Sequence, residues 1–139
     1  ITAVYSSDLL RARQVASCIA SRLGISVVHD ARLREVDIGA IGTMLKEEAR
    51  AKFPDAHFRT SSPCFDFRTI GGEMRQQVID RQLACFNEIL ARHGHNNLDV
   101  VPIVVVVGHG TALRTMLEHL NTGLELHKQG GYQIIMYEA

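Results

Sequence analysis

VPIVVVVGHGTALRTML, Val101 to Leu117, is the stretch on which the fold turns. Its first part, Val101 to Val107, is a near-continuous β-branched run. That composition suits a strand buried on both faces of a parallel sheet rather than one alternating inside and outside, so the strand is expected to be central. Gly108, His109 and Gly110 make the turn. Ala112, Leu113, Met116, Leu117 and Leu120 then recur at the spacing of an amphipathic helix. The same order opens the chain. Ile1 to Tyr5 is a short apolar, β-prone run, followed by Ser6, Ser7 and Asp8, residue types that cap helices. Leu9, Ala12, Val15, Ala16, Ile19, Ala20 and Leu23 form the helical stripe that Gly24 ends. A strand-then-helix order used at both ends predicts an α/β fold in three layers, a mostly parallel central sheet with helices on both faces.

The rest of the chain reads consistently with that plan. Ile25 to Val28 is a brief strand, and Asp30 to Gly42 has no sustained period and is mostly loop. Thr43 is placed to cap a helix through Met44 and Ala49 towards Phe53, where Pro54 stops it. Asp55 to Gly72 is irregular, with serines, threonines and exposed-looking aromatics, as suits a loop covering a site. Met74, Val78, Leu83, Phe86, Ile89 and Leu90 mark a long helix ending near Gly94, with Asn96 and Asn97 in the following turn. Gln133 to Tyr137 supplies a last strand. No internal repeat or low-complexity linker interrupts the chain.

At 139 residues the sequence suits one domain. Its 15 basic and 15 acidic residues cancel, which argues against broad attraction to nucleic acid or anionic membrane. Any anion must be bound by local groups. The longest apolar run falls far short of the roughly 20 residues a membrane-spanning helix needs. Cys18, Cys64 and Cys85 are widely spaced and odd in number, so they read as free thiols of a cytoplasmic protein, with no disulfide framework and no zinc site. The pair His93 and His95 has no third ligand in sight. No cofactor is called for.

In a parallel sheet, ligands bind beyond the carboxyl ends of the strands. If the strands Ile1 to Tyr5 and Val101 to Val107 are parallel, their turns open on one edge, offering Ser6, Ser7, Asp8 and Arg11 from one and Gly108, His109 and Gly110 from the other. A helix N-terminus presents free N–H groups and positive dipole, so it attracts anions without net charge. Arg11 sits in a first helical turn, where a cation is unfavourable unless something anionic is bound. A phosphate would supply the reason, since guanidinium matches it bidentately. Taken singly, a histidine after a strand is more often a hydrogen-bonded structural residue; the shared edge is what favours a site.

The stretches VYSSDLLRARQVA (Val4 to Ala16), RLREVDIG (Arg32 to Gly39), GGE (Gly71 to Glu73) with Arg81 downstream, and VVVVGHGTALRTML (Val104 to Leu117) stand in an order and spacing that resembles the histidine phosphatase superfamily, the phosphoglycerate mutase-like proteins. The resemblance implies phosphoryl transfer through a phosphohistidine. Arg11 resembles the second phosphate-binding arginine, Glu35 the general acid that protonates the leaving oxygen, and His109 the second active-site histidine, with Gly110 beside it at the phosphate. The implied partner is a small phosphorylated metabolite or inorganic phosphate. As a general acid, Glu35 would have to hold a proton near neutral pH, as partial burial can arrange. Without the resemblance it reads as a surface carboxylate paired with Arg32 or Arg34. Glu73 and Arg81 would orient the helix and loop around the site, or form a plain salt bridge.

The chain also departs from the family pattern. The superfamily's defining Arg-His-Gly, with the nucleophilic histidine, would lie ahead of Ile1, and His93 and His95, flanking a glycine after a helix, do not replace it. The expectation is therefore a single domain over residues 1–139, incomplete at its N-terminus and inactive alone, whose absent strand would leave Val101 to Val107 without a neighbour. Val15 replaces a frequent Thr, and Ile41 with Gly42 replaces a frequent Trp-Glu. The leading function is a phosphomonoester hydrolase. A mutase is the rival in chemistry, disfavoured because only Val36 to Ile70 separates the Glu35 motif from GGE. A non-catalytic phosphate-binding protein is the rival if no nucleophilic histidine precedes Ile1. Substrate and oligomeric state stay open, a homodimer included.

Overall fold

A computed structural model describes residues 1–54, 64–93 and 102–120. Strand β1 (Ala3–Ser6) leads into helix α1 (Leu10–Leu23), which returns the chain to β2 (Val27–His29). Two 3-10 turns, Ala31–Leu33 and Gly39–Thr43, precede α2 (Lys46–Lys52). Further on come α3 (Arg75–His93), β3 (Val104–Val107) and α4 (Gly110–Leu120). The strands pair in the order β2-β1-β3, all parallel, with Tyr5 opposite Val28 on one side and Val106 on the other. This is the α/β plan expected.

Period-two alternation then decides which helix covers which face. Val4, Val105 and Val107 meet Ala16 and Ala20 of α1 on one face. Ala3, Tyr5, Val104 and Val106 meet Cys85, Phe86 and Ile89 of α3 on the other, together with Leu33. A third cluster, holding Val36, Ile41, Phe65, Phe67, Val78 and Ala112, joins the Glu35 loop to the first turns of α3 and α4.

Several expectations are corrected. Among the described residues the middle strand is β1 rather than the valine run: Val4 and Ser6 are fully buried, while all four residues of β3 are only half-buried. The reason is pairing. β1 has a parallel neighbour on both edges, whereas β3 has one among the described residues, so β3 is not without a neighbour either. It begins at Val104, after Pro102, which has no N–H for a ladder, while Val101 lies outside the described residues. In α1 the buried stripe is Ala12, Ala16 and Ala20, and Val15 and Leu23 are exposed, because only alanines let the helix approach the sheet closely. Gly24 ends that helix as predicted, in the left-handed region at φ 65°. Leu9, not Ser6 to Asp8, is the N-cap of α1, and α2 starts at Lys46, where the Leu45 N–H donates to the Glu48 carboxylate, rather than at Thr43. Phe65 and Phe67 are not exposed but buried, their rings stacked 5.7 Å apart. The predicted strand Gln133 to Tyr137, the turn at Asn96 and Asn97, and Asp55 to Pro63 lie outside the described residues.

Two glycines show how the Glu35 loop is fastened. Gly39 has φ +61°, and a Cβ there would stand 2.2 Å from the Ile70 carbonyl oxygen; one on Gly72 would stand 2.5 Å from that of Asp37. The backbones touch, so no side chain fits between them. Gly71, at φ +81°, faces open space. Gly71→Ala is therefore expected to cost only the left-handed strain, about 1–2 kcal/mol. Gly39→Ala adds overpacking and is expected to cost about 3 kcal/mol in urea denaturation.

Candidate active site

Both turns do open on the same edge, because β1 and β3 run parallel with Ser6 opposite Val107. The Ser7 N–H continues the ladder by donating to the Val107 carbonyl at 2.9 Å. That bond places Ser7 beside His109. The His109 ring lies between two side chains of the α1 turn: Arg11 Nε donates to Nδ1 at 3.2 Å, and Nε2 lies 2.9 Å from Ser7 Oγ. His109 is buried at 6% exposure, whereas Arg11 is exposed. Burial, and then the Arg11 charge, hold the imidazole below its usual range, so the neutral ring is favoured.

Glu35 belongs to the same constellation, though by an unexpected route. Its Oε1 accepts from the Ala112 N–H at 2.9 Å and the Val36 N–H at 3.0 Å, and its Oε2 accepts from the Thr111 N–H at 3.3 Å. The carboxylate thus caps α4, whose first turn holds no acidic residue of its own. The expectation that the α4 amides are free for a phosphate is corrected for Thr111 and Ala112. Gly110 remains exposed, with nothing within 4 Å of the place a Cβ would take. Nor does Glu35 pair with Arg32 or Arg34. Arg32 binds Asp30 and Glu88, and Arg34 forks onto Asp8 at 2.7 and 2.5 Å.

Arg81 and Glu73 hold the loop from below. Arg81 donates to both Glu73 carboxylate oxygens, at 2.7 and 2.9 Å, and to the carbonyls of Arg32, Arg34 and Glu35 at 2.7, 2.8 and 3.1 Å. Glu73 also accepts from the Asp37 N–H at 2.9 Å. The pair is more than a plain salt bridge: it orients the loop. Burial works to raise the Glu73 carboxyl, but Arg81 and the Asp37 amide outweigh it and leave it below its ordinary value of 4.5. A carboxyl depressed in the folded state adds stability above its unfolded value and loses it as pH falls through the folded one. In urea denaturation the gap between the unmutated chain and Glu73→Gln is therefore expected to be full at neutral pH and to close below about pH 4.5.

Other histidines stand apart. Arg92, His93 and Gly94 spell the Arg-His-Gly triplet, but Arg92 and His93 end α3 rather than a strand, and His93 Nε2 lies 3.0 Å from the Tyr5 hydroxyl. His29 ends β2, exposed, and His119 is exposed on α4. His57, His95 and His127 lie outside the described residues. Among the described residues no group of three potential ligands could hold a metal ion, and no helix is long and apolar enough to cross a membrane. Ser7 is the residue sequence reasoning named at the turn but left without a part. Its signal was a small hydroxyl residue where β1 must pass closely by β3.

Comparison with known proteins places this arrangement. The chain is 33% identical to phosphoglycerate mutase-like protein 4 of Arabidopsis thaliana, over 85% of this chain and 50% of that protein. It is 31% identical to phosphoserine phosphatase 1 of Hydrogenobacter thermophilus, over 90% of this chain and 56% of that one. It thus spans about half the length of the curated relatives it matches. Among solved structures, a mycobacterial glucosyl-3-phosphoglycerate phosphatase in complex with inorganic phosphate superimposes with a TM-score of 0.70 at 28% identity, over 86% of this chain and 58% of that one. The pattern of the histidine phosphatase superfamily (branch 1) runs through residues 1–135, and with the parallel sheet and the Arg11–His109 edge in place, the chain belongs to that superfamily.

Proposed function

We propose that the protein is a phosphomonoester hydrolase working through a phosphohistidine intermediate on a small phosphorylated metabolite. The observation that carries this reading is the contact of Arg11 with His109, 3.2 Å apart at one sheet edge beside the open Gly110 backbone. A phosphoryl group in transfer carries spread negative charge, so positioned cationic donors and free amides are the main catalytic resource. Arg11 binds two phosphoryl oxygens, Gly110 supplies an N–H, and His109 donates from its ring. Glu35 protonates the departing alcohol oxygen while a histidine other than these forms the bond to phosphorus. Glu35 accepts three backbone N–H bonds, so acting as an acid requires it to turn towards the substrate.

Hydrolysis of p-nitrophenyl phosphate by the full-length protein and by His109→Ala tests the assignment. The variant is expected to lose most of the rate; equal rates would remove His109 from the chemistry. A second reading, phosphotransfer between two positions of a phosphorylated acid, is favoured by the likeness to phosphoglycerate mutase-like protein 4. Release of inorganic phosphate in excess of phosphotransfer decides for the hydrolase.

A further inference from the structure

We propose that Ser7 is the positioning residue that orients His109, presenting Nδ1 to a bound phosphoryl group, and that anion binding exchanges the Arg11 guanidinium on Nδ1 for a proton. The inference rests on reading Arg11 and His109 as phosphate ligands. It begins from donor and acceptor counting. A guanidinium has only N–H donors, so the bond from Arg11 Nε at 3.2 Å requires a lone pair on Nδ1. The ring is then neutral, its proton is on Nε2, and Nε2 donates to Ser7 Oγ at 2.9 Å.

Ser7 is built to receive that bond. It is fully buried, and its N–H donates to the Val107 carbonyl at 2.9 Å. Its carbonyl accepts from Ser6 Oγ at 2.8 Å, and its own Oγ accepts from the Leu9 N–H at 3.3 Å. These bonds fix the hydroxyl oxygen to the sheet and to the first turn before α1. Nε2 is therefore the inward nitrogen, and Nδ1 faces the exposed Arg11.

That arrangement cannot receive a phosphoryl group unchanged. A phosphoryl oxygen and a bare Nδ1 are both acceptors and repel each other. When Arg11 turns to chelate the anion, it leaves Nδ1 empty and a negative charge takes the place of a positive one. Nδ1 then takes a proton from solvent, and the imidazolium donates from both nitrogens, to the phosphoryl oxygen and to Ser7. The groups facing the ring balance accordingly. Burial, then Arg11 of α1 and Arg81 of α3, oppose protonation, while Glu35 of the loop and Asp8 of the turn favour it.

Nitrogen-15 NMR of the His109 ring in the full-length protein, before and after addition of inorganic phosphate, tests both halves. The free protein is expected to show Nε2 protonated and Nδ1 bare at neutral pH. Phosphate is expected to protonate Nδ1, and the Nδ1 shift reads that proton directly. With Arg11 still holding the Nε2–H form, Ser7→Ala removes the acceptor of the Nε2 proton and is expected to weaken protonation of Nδ1 by phosphate, whereas Ser7→Thr is expected to retain it. Equal protonation of Nδ1 by phosphate in Ser7→Ala and in the unmutated protein would overturn the role of Ser7, and phosphate that leaves Nδ1 bare would overturn the exchange. Turnover is a separate readout. Nδ1 protonation without hydrolysis sinks only the hydrolase reading, and hydrolysis with Nδ1 bare sinks only this one.

Discussion

Replacing Arg81 with alanine is expected to destabilise the protein by about 3 kcal/mol, the low end of the range for removing one member of a buried ion pair, since Arg81 and Glu73 are only partly buried. The partners left behind explain the size. Glu73, whose side chain is 22% exposed, would keep its charge with no cation against it. The carbonyls of Arg32, Arg34 and Glu35 would each lose a donor. Because those carbonyls lie along the loop that carries Glu35, the loop itself is expected to loosen. Arg81→Lys restores a charge but not the fork, so it should recover less than half of the loss. Urea denaturation of the three proteins at neutral pH checks both figures.

Arg11→Ala is expected to act on the other ledger, lowering kcat/KM for p-nitrophenyl phosphate by about 10²- to 10³-fold, as for removal of one positioned donor to a developing oxyanion. Stability should change by no more than about 0.5 kcal/mol, since Arg11 is exposed and its side chain meets His109 rather than the core. Arg11→Lys keeps the charge and loses the bidentate match, so a partial recovery is expected. A variant that lost activity and stability together would point to a structural Arg11.

How much of this was legible in the sequence depends on how local the cause was. The strand-turn-helix units at Ala3 to Leu23 and Val104 to Leu120 announce themselves by composition and period, and they bring Arg11 and His109 to one edge. Among the described residues β1, not the valine run, has a neighbour on both edges, because β-branched richness reports a strand's suitability for burial, not its neighbours. β1 holds that place although its residues are Ala3, Val4, Tyr5 and Ser6. Phe65 and Phe67 looked exposed because the cluster that buries them is assembled from Val36, Ile41, Val78 and Ala112, all distant in sequence. Ile41, a departure from the family pattern, is one of that cluster's buried members. Glu35 was identified through its motif, yet its bonds to the α4 amides join residues 76 and 77 positions apart, and no local pattern encodes them.

The central claim, that Arg11, His109 and Gly110 form a phosphoryl site closed by Glu35, is tested most directly by a crystal structure of the full-length protein with inorganic phosphate. The account predicts phosphate oxygens against the Arg11 guanidinium, His109 Nδ1 and the Gly110 N–H, with Arg11 drawn off the ring and Ser7 still bonded to Nε2. Phosphate bound elsewhere, with Arg11 remaining on His109, would contradict it.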